Sequence, residues 1–199
     1  ENTETIRSPT YRHNMSIRIH PKCEFENYHF NPKTIIYTTS RKETEALSET
    51  IGEKTKLIVK PYHANLSSHI KTETHKLFMA NKIDIVIATI AFGMGIDKPD
   101  VREVIIYGVP ADMETYYQEI GRAGRDNQEC LGLLFYDDSD ICITSRIITF
   151  TSKSPQNKLN RLKELQTYIS NCTECRQLSI EKYFNKGTQF KTICGKCDN

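Results

Sequence analysis

The chain has 199 residues and a mass of 23.0 kDa, with 38% hydrophobic and 26% charged side chains. That is enough apolar material to bury a full domain core, and it excludes wholesale disorder. The net charge of +2 excludes neither an acidic nor a basic partner, because it is the sum of unlike parts. Residues 1–152 carry 18 basic and 21 acidic side chains, whereas 153–199 carry 9 basic and 4 acidic ones. A basic tail on an acidic body points to an anionic partner, although a lysine-rich solvated helix face has the same composition.

Residues 1–33 are polar and hold prolines at 9, 21 and 32. They are expected to form a leading segment, with one edge strand over the alternation Met15, Ile17, Ile19. From residue 34 short β-rich runs alternate with helical patterns. Strands are predicted at Thr34–Tyr37, Leu57–Val59, Asp84–Thr89, Glu103–Tyr107 and Leu131–Tyr136, with helices at about 41–51, 67–80 and 112–122. Such alternation argues for an α/β domain with a mostly parallel sheet, over 34–152. After Asp137 the pattern is wholly helical, and Ser154-Pro155 suits the start of a helix. Leu159, Leu162, Leu165 and Ile169 then form an amphipathic stripe. Residues 153–199 are read as a small helical module. No apolar run reaches the roughly 18 residues of a membrane span, and no signal peptide opens the chain.

Two stretches carry chemistry. In Tyr116-Tyr117-Gln118-Glu119-Ile120-Gly121-Arg122-Ala123-Gly124-Arg125-Asp126, a continued helix would set Gln118, Arg122 and Arg125 on one face. Guanidinium forks match phosphate oxygens and stabilise a transferring phosphoryl group. Surface ion pairs beside helix-ending glycines would leave the same string. In Ile85 to Asp97 a buried strand opens into a loop containing Gly93 and Gly95. In open α/β sheets ligands gather at that end of the strands. Thr89 offers a hydroxyl there, and Asp97 a carboxylate that could meet a ribose.

Together these stretches resemble motifs V and VI of superfamily-two helicases, and in detail those of the RecQ family, in its Werner-type form around Tyr107–Glu114. Ile36-Tyr37-Thr38-Thr39-Ser40-Arg41 is similar to motif IV of that family, and Tyr62-His63-Ala64 to the motif after it. The resemblance implies the second RecA-like lobe of an ATP-dependent DNA helicase, with 3′-to-5′ polarity and roles in DNA repair and replication. ATP with Mg2+ would lie between this lobe and a first RecA-like lobe of the same parent chain. Arg125 would be the arginine finger, Arg122 a second phosphate contact and Gln118 a polar coupling residue. Asp97 and Gly95 would face the nucleotide. Ser40, Arg41, His63 and Thr89 would hold one DNA strand by its backbone near a duplex junction, although Ser40 equally suits a helix N-cap and His63 a buried strand-end histidine. A nuclear location would follow in a eukaryote.

The sequence departs from the family pattern at Asn65, Lys71, Ile106, Ala111 and Asn127. The first two bear on the DNA contacts, since lysine cannot copy an arginine fork. No GxxxxGK[ST] loop and no DExH box occur in these 199 residues, so the lobe would act with a partner lobe that holds ATP and Mg2+. A looser fit remains to an RNA helicase of the same superfamily, or to a non-catalytic zinc-containing nucleic-acid module.

Seven cysteines are present, and four fall in the pattern Cys172-x2-Cys175-x18-Cys194-x2-Cys197. That spacing alone fits a four-cysteine Zn2+ site. The resemblance implies a RecQ zinc module in which Cys175, Cys194 and Cys197 are ligands, a further cysteine follows Asn199, and Cys172 is a substitute or a bystander. Cys23, Cys130 and Cys142 sit among apolar neighbours, as small core residues of a reducing compartment do.

Overall fold

The computed structural model describes residues 10–89, 92, 97–185 and 193–199. Six strands form one sheet: β1 (Met15–Pro21), β2 (Thr34–Thr38), β3 (Val59–Tyr62), β4 (Ile85–Ala88), β5 (Glu103–Tyr107) and β6 (Cys130–Tyr136). Their order is β1-β6-β5-β2-β4-β3, and every pairing is parallel. The central strands β2 and β4 are buried along their whole length, as their uninterrupted Ile, Val, Tyr and Ala content requires when both sheet faces are covered.

Helices α1 (Arg41–Lys54), α2 (Ser68–Met79), α3 (Met113–Ile120), α4 (Asp138–Thr151), α5 (Pro155–Ser170) and α6 (Arg176–Phe184) complete the fold. Side chains that alternate along each strand divide between two cores. Ile36, Ile87, Ile105 and Phe135 pack with Ile51 of α1 and with Phe25 from a short 3-10 turn at Lys22–Asn27. Ile35, Tyr37, Val104 and Leu134 pack with Phe78, Met113, Tyr116, Leu165 and Ile180 on the other face. Pro155 stands in the first turn of α5, where its missing N–H costs nothing.

The predicted edge strand over Met15 to Ile19 is present as β1, paired with β6. The third strand lies two residues later than predicted, at Val59–Tyr62, because Pro61 hides it from propensity. As the outermost strand β3 pairs only with β4, and a proline is tolerated at such an edge. The opposite edge is partly covered. Ile19 N–H donates to Asp198 Oδ2 at 3.1 Å, and Asp198 N–H donates to the Ile17 carbonyl at 3.3 Å.

The helix predicted over 112–122 ends earlier, at Ile120. Its last turn tightens, with Arg122 N–H on the Glu119 carbonyl (3.2 Å) and Ala123 N–H on that of Ile120 (3.1 Å). Gly124 then takes φ +58°, and its N–H turns to the Val101 carbonyl at 2.8 Å. The two arginines therefore project from a turn rather than from one face of a helix. A Cβ on Gly124 would sit 2.5 Å from Cys130 Sγ and 2.7 Å from Asn14 Nδ2. Gly124→Ala should accordingly destabilise the fold by about 2–3 kcal/mol, from left-handed strain plus overpacking, as read by denaturant unfolding.

Candidate nucleotide, nucleic-acid and zinc sites

The arginine loop is the first site. Arg125 is exposed and donates from Nη1 to Asp97 Oδ1 at 2.8 Å. The structure thus brings together two residues 28 apart that the sequence assigned to the nucleotide side. Asp97 is 86% exposed, so this is a surface ion pair that a competing phosphate can exchange at small cost. Arg122 is half-buried, and its charge acts on Tyr37 and Glu119 beneath it. Gln118 is exposed on the last turn of α3. Gly95 lies outside the described residues.

Glu119 is the residue that sequence reasoning passed over. It is buried, its Oε2 has no hydrogen-bond partner among the described residues, and it lines a cavity of about 220 Å3 together with Thr38, Thr39 and Thr89. Burial pushes its carboxyl up to about 8, with Arg122 pulling down and Asp112 pushing up. Between its ordinary value of 4.5 and about 8, the folded chain holds a proton there that the unfolded chain has released. Its contribution therefore falls as pH rises through that window, by up to about 1.4 kcal/mol per unit. Glu119→Gln should gain stability on the parent steadily from about pH 5 to about pH 8, read by unfolding free energies across pH.

The second site lies at the carboxyl ends of β2, β3 and β4. Ser40 caps α1, its Oγ accepting from Glu43 N–H at 3.2 Å. Its hydroxyl remains exposed, as does the neighbouring Arg41. His63 is buried, with Nε2 3.1 Å from Glu45 Oε1 and Nδ1 without a partner among the described residues. Ser40, Arg41 and His63 line one shallow depression with Lys42, Glu45 and Asn65. Thr89 is partly exposed at the end of β4 and opens into the neighbouring cavity with Thr39. The four candidates thus share one end of the sheet, with Thr39 beside Ser40 joining the two depressions.

The third site is the cysteine cluster. The sulfurs of Cys175, Cys194 and Cys197 lie within 4.8 Å of one another, those of Cys175 and Cys194 being 3.4 Å apart. Cys172 is outside the cluster, exposed, with Sγ 3.5 Å from the Ser170 carbonyl. Four thiolates around zinc at about 2.3 Å place sulfurs about 3.8 Å apart, so the three clustered side chains fit such an ion and leave one position for a further donor. Cys175 is the N-cap of α6. Burial pushes its thiol up, but N–H groups of Cys194, Leu178 and Gln177 outweigh this and hold it below the usual range. The adjoining Cys194 thiol is pushed the other way, up to about 11, chiefly by burial. The scaffold is firm. Arg176 pairs through Nε and Nη2 with Asp198 at 3.0 and 3.1 Å and donates from Nη1 to the Tyr168 carbonyl at 2.8 Å.

A parallel sheet covered on both faces, with an arginine loop after α3 and a cluster of three cysteines beside α6, is the architecture of a RecA-like lobe followed by a helical module. The helicase conserved C-terminal domain family matches residues 17–127, the RecQ zinc-binding family matches 138–199, and the chain belongs to the C-terminal helicase region of the RecQ family. It is 39% identical to a protein of Acanthamoeba polyphaga mimivirus named as an ATP-dependent RNA helicase, over 98% of this chain and 37% of that one. It is 33% identical to the ATP-dependent DNA helicase RecQ of Pasteurella multocida, over 96% of this chain and 30% of that one. The chain thus spans between 30% and 37% of the length of these relatives. Among solved structures, Saccharomyces cerevisiae Dbp5 bound to RNA and ADP BeF3 aligns with TM-score 0.59 and 20% identity, over 83% of this chain and 49% of that one. That likeness concerns the fold. Among the described residues, no helix is long and apolar enough to cross a membrane.

Proposed function

We propose that the chain is the second RecA-like lobe of an ATP-dependent DNA helicase that moves 3′ to 5′ and unwinds duplexes in repair and replication. The observation that carries this is the loop in which Arg125 pairs with Asp97 while Arg122 lies over Glu119, in a chain of RecQ membership. Arg125 would leave Asp97 to meet the γ-phosphate of an ATP held with Mg2+ by the first lobe, where it would stabilise charge on the transferring group. Arg122 would contact the same phosphates, Gln118 would reach them from the last turn of α3, and Asp97 would then be released toward the ribose.

On the other side, Ser40, Arg41, His63 and Thr89 would grip the backbone of one strand at the duplex junction. Such contacts set position without reading sequence, which suits a motor. Cys175, Cys194 and Cys197 would hold a structural Zn2+, with residues 153–199 acting as one module around it and Cys172 left out. Zinc bound there would supply a cross-link between α6 and the tail rather than any catalytic chemistry.

The mimivirus relative favours a second reading, in which the strand is RNA. Unwinding assays on 3′-tailed DNA, 5′-tailed DNA and 3′-tailed RNA duplexes separate the two, using this lobe joined to its phosphate-loop lobe. Displacement of the 3′-tailed DNA alone is expected. Preference for the RNA duplex would move the assignment, and preference for the 5′ tail would reverse the polarity.

A further inference from the structure

The arginine loop is not self-supporting. α3 ends at Ile120, so the carbonyls of Gly121, Ala123 and Gly124 in the turn that follows lie outside its hydrogen-bond ladder, close to the negative end of the helix dipole. A single side chain from the other end of the sequence meets them. Arg12 donates from Nη1 to the Ala123 carbonyl at 2.8 Å and to that of Gly121 at 3.3 Å, and from Nη2 to the Gly124 carbonyl at 2.6 Å. Buried Asn14 adds Nδ2 bonds to the carbonyls of Gly124 (2.8 Å) and Gln128 (2.9 Å). These carbonyls bracket Arg122 and immediately precede Arg125.

The backbone that presents Arg12 is itself clamped by the zinc module. Arg12 N–H donates to Gln177 Oε1 at 2.8 Å, and Gln177 Nε2 donates to the carbonyls of Arg12 (2.9 Å) and Met15 (2.8 Å). Gln177 is buried on α6, two residues after the thiolate ligand candidate Cys175. Tyr117 Oη fixes the strap on its other side by donating to the Thr10 carbonyl at 2.9 Å.

We infer that Arg12 is a positioning residue for ATP hydrolysis, whose fork holds the loop that carries Arg122 and Arg125 and is itself seated by Gln177 of the zinc module. The inference rests on the function proposed above for Arg125. Arg12 would act through the backbone it holds. A fork is required, since a lysine's point charge cannot serve three carbonyls at these angles.

The test is steady-state ATP hydrolysis by the helicase that contains this lobe, with saturating single-stranded DNA. Arg12→Lys, which keeps the charge, should lower kcat at least about 10-fold while KM for ATP moves less than about 3-fold. On an Arg125→Ala background, Arg12→Lys should change kcat by less than about 2-fold, because the loop then has no finger to place. Gln177→Ala should lower kcat by a smaller factor with the same split. Phe25→Leu, which loosens the opposite core, is the control: it should lower the melting temperature yet keep kcat within about 2-fold. Parent-like kcat in Arg12→Lys, or a loss that multiplies in full with that of Arg125→Ala, would overturn the inference. Parent-like turnover in Arg125→Ala itself would instead remove the reading on which it rests.

Discussion

Replacing Arg125 with alanine should lower kcat of the intact helicase by about 10³-fold or more, equivalent to about 4 kcal/mol of transition-state stabilisation. Nucleotide affinity should change far less. The reason is geometric. Arg125 is exposed at the end of a glycine-broken turn, and it pairs with a solvent-facing carboxylate. A guanidinium paired with an exposed carboxylate can exchange one oxyanion for another, and its contribution grows as charge develops on the phosphoryl group. Arg122 sits deeper, tied electrostatically to Glu119 and Tyr37, so its loss should disturb the loop as well as the chemistry. If Arg125→Ala kept near-normal turnover and Arg122→Ala did not, the finger would be Arg122.

The second large effect concerns the metal. Cys175→Ser or Cys194→Ser should reduce bound zinc from about one ion per chain to near none, whereas Cys172→Ser should leave it unchanged. Structural zinc contributes about 10 kcal/mol or more in small domains, so stripping it with a chelator should melt the ordering of Ile193–Asn199 against β1 and α6. Released along with it would be the Arg176–Asp198 pair and the bonds from Asn199 Nδ2 to the carbonyls of Asn171 (2.9 Å) and Glu174 (2.7 Å). Metal analysis and circular dichroism read both outcomes. Zinc lost in Cys172→Ser would mean that the spacing pattern, rather than the observed cluster, names the ligands.

The parallel sheet was legible because its central strands β2, β4 and β5 are apolar runs rich in Ile and Val, and because β2, β3, β5 and β6 each lead into a helix with a side-chain N-cap. Ser40 announced α1, and Ser154-Pro155 announced α5. Strand β3 was misplaced because an edge position excuses Pro61, and edges cannot be seen before pairing is known. Arg122 and Arg125 were visible in the sequence as residue types, but the way the turn presents them was not. Periodicity continued the helix to 122, while the left-handed Gly124 and its bond to Val101 ended the helical geometry.

The support of the loop was hidden for a different reason. Arg12 meets its carbonyl partners across about 110 residues, and no local pattern encodes such a contact. Glu119 was read past because it sits beside exposed Gln118 in a polar-looking stretch. Only the packing of α3 turns one side chain inward and the other out. The cysteines show the converse. Spacing offered four equivalent ligands, and the fold separates Cys172 from the other three.

ATP turnover measured with and without the phosphate-loop lobe tests the central claim most directly: that this chain supplies arginines to a nucleotide it cannot hold alone. The 199-residue chain by itself should hydrolyse ATP no faster than a buffer control, even with single-stranded DNA present. Joined to the first lobe it should show DNA-stimulated turnover that disappears with Arg125→Ala. Robust DNA-stimulated hydrolysis by the isolated chain, or a joined enzyme indifferent to Arg125, would contradict it.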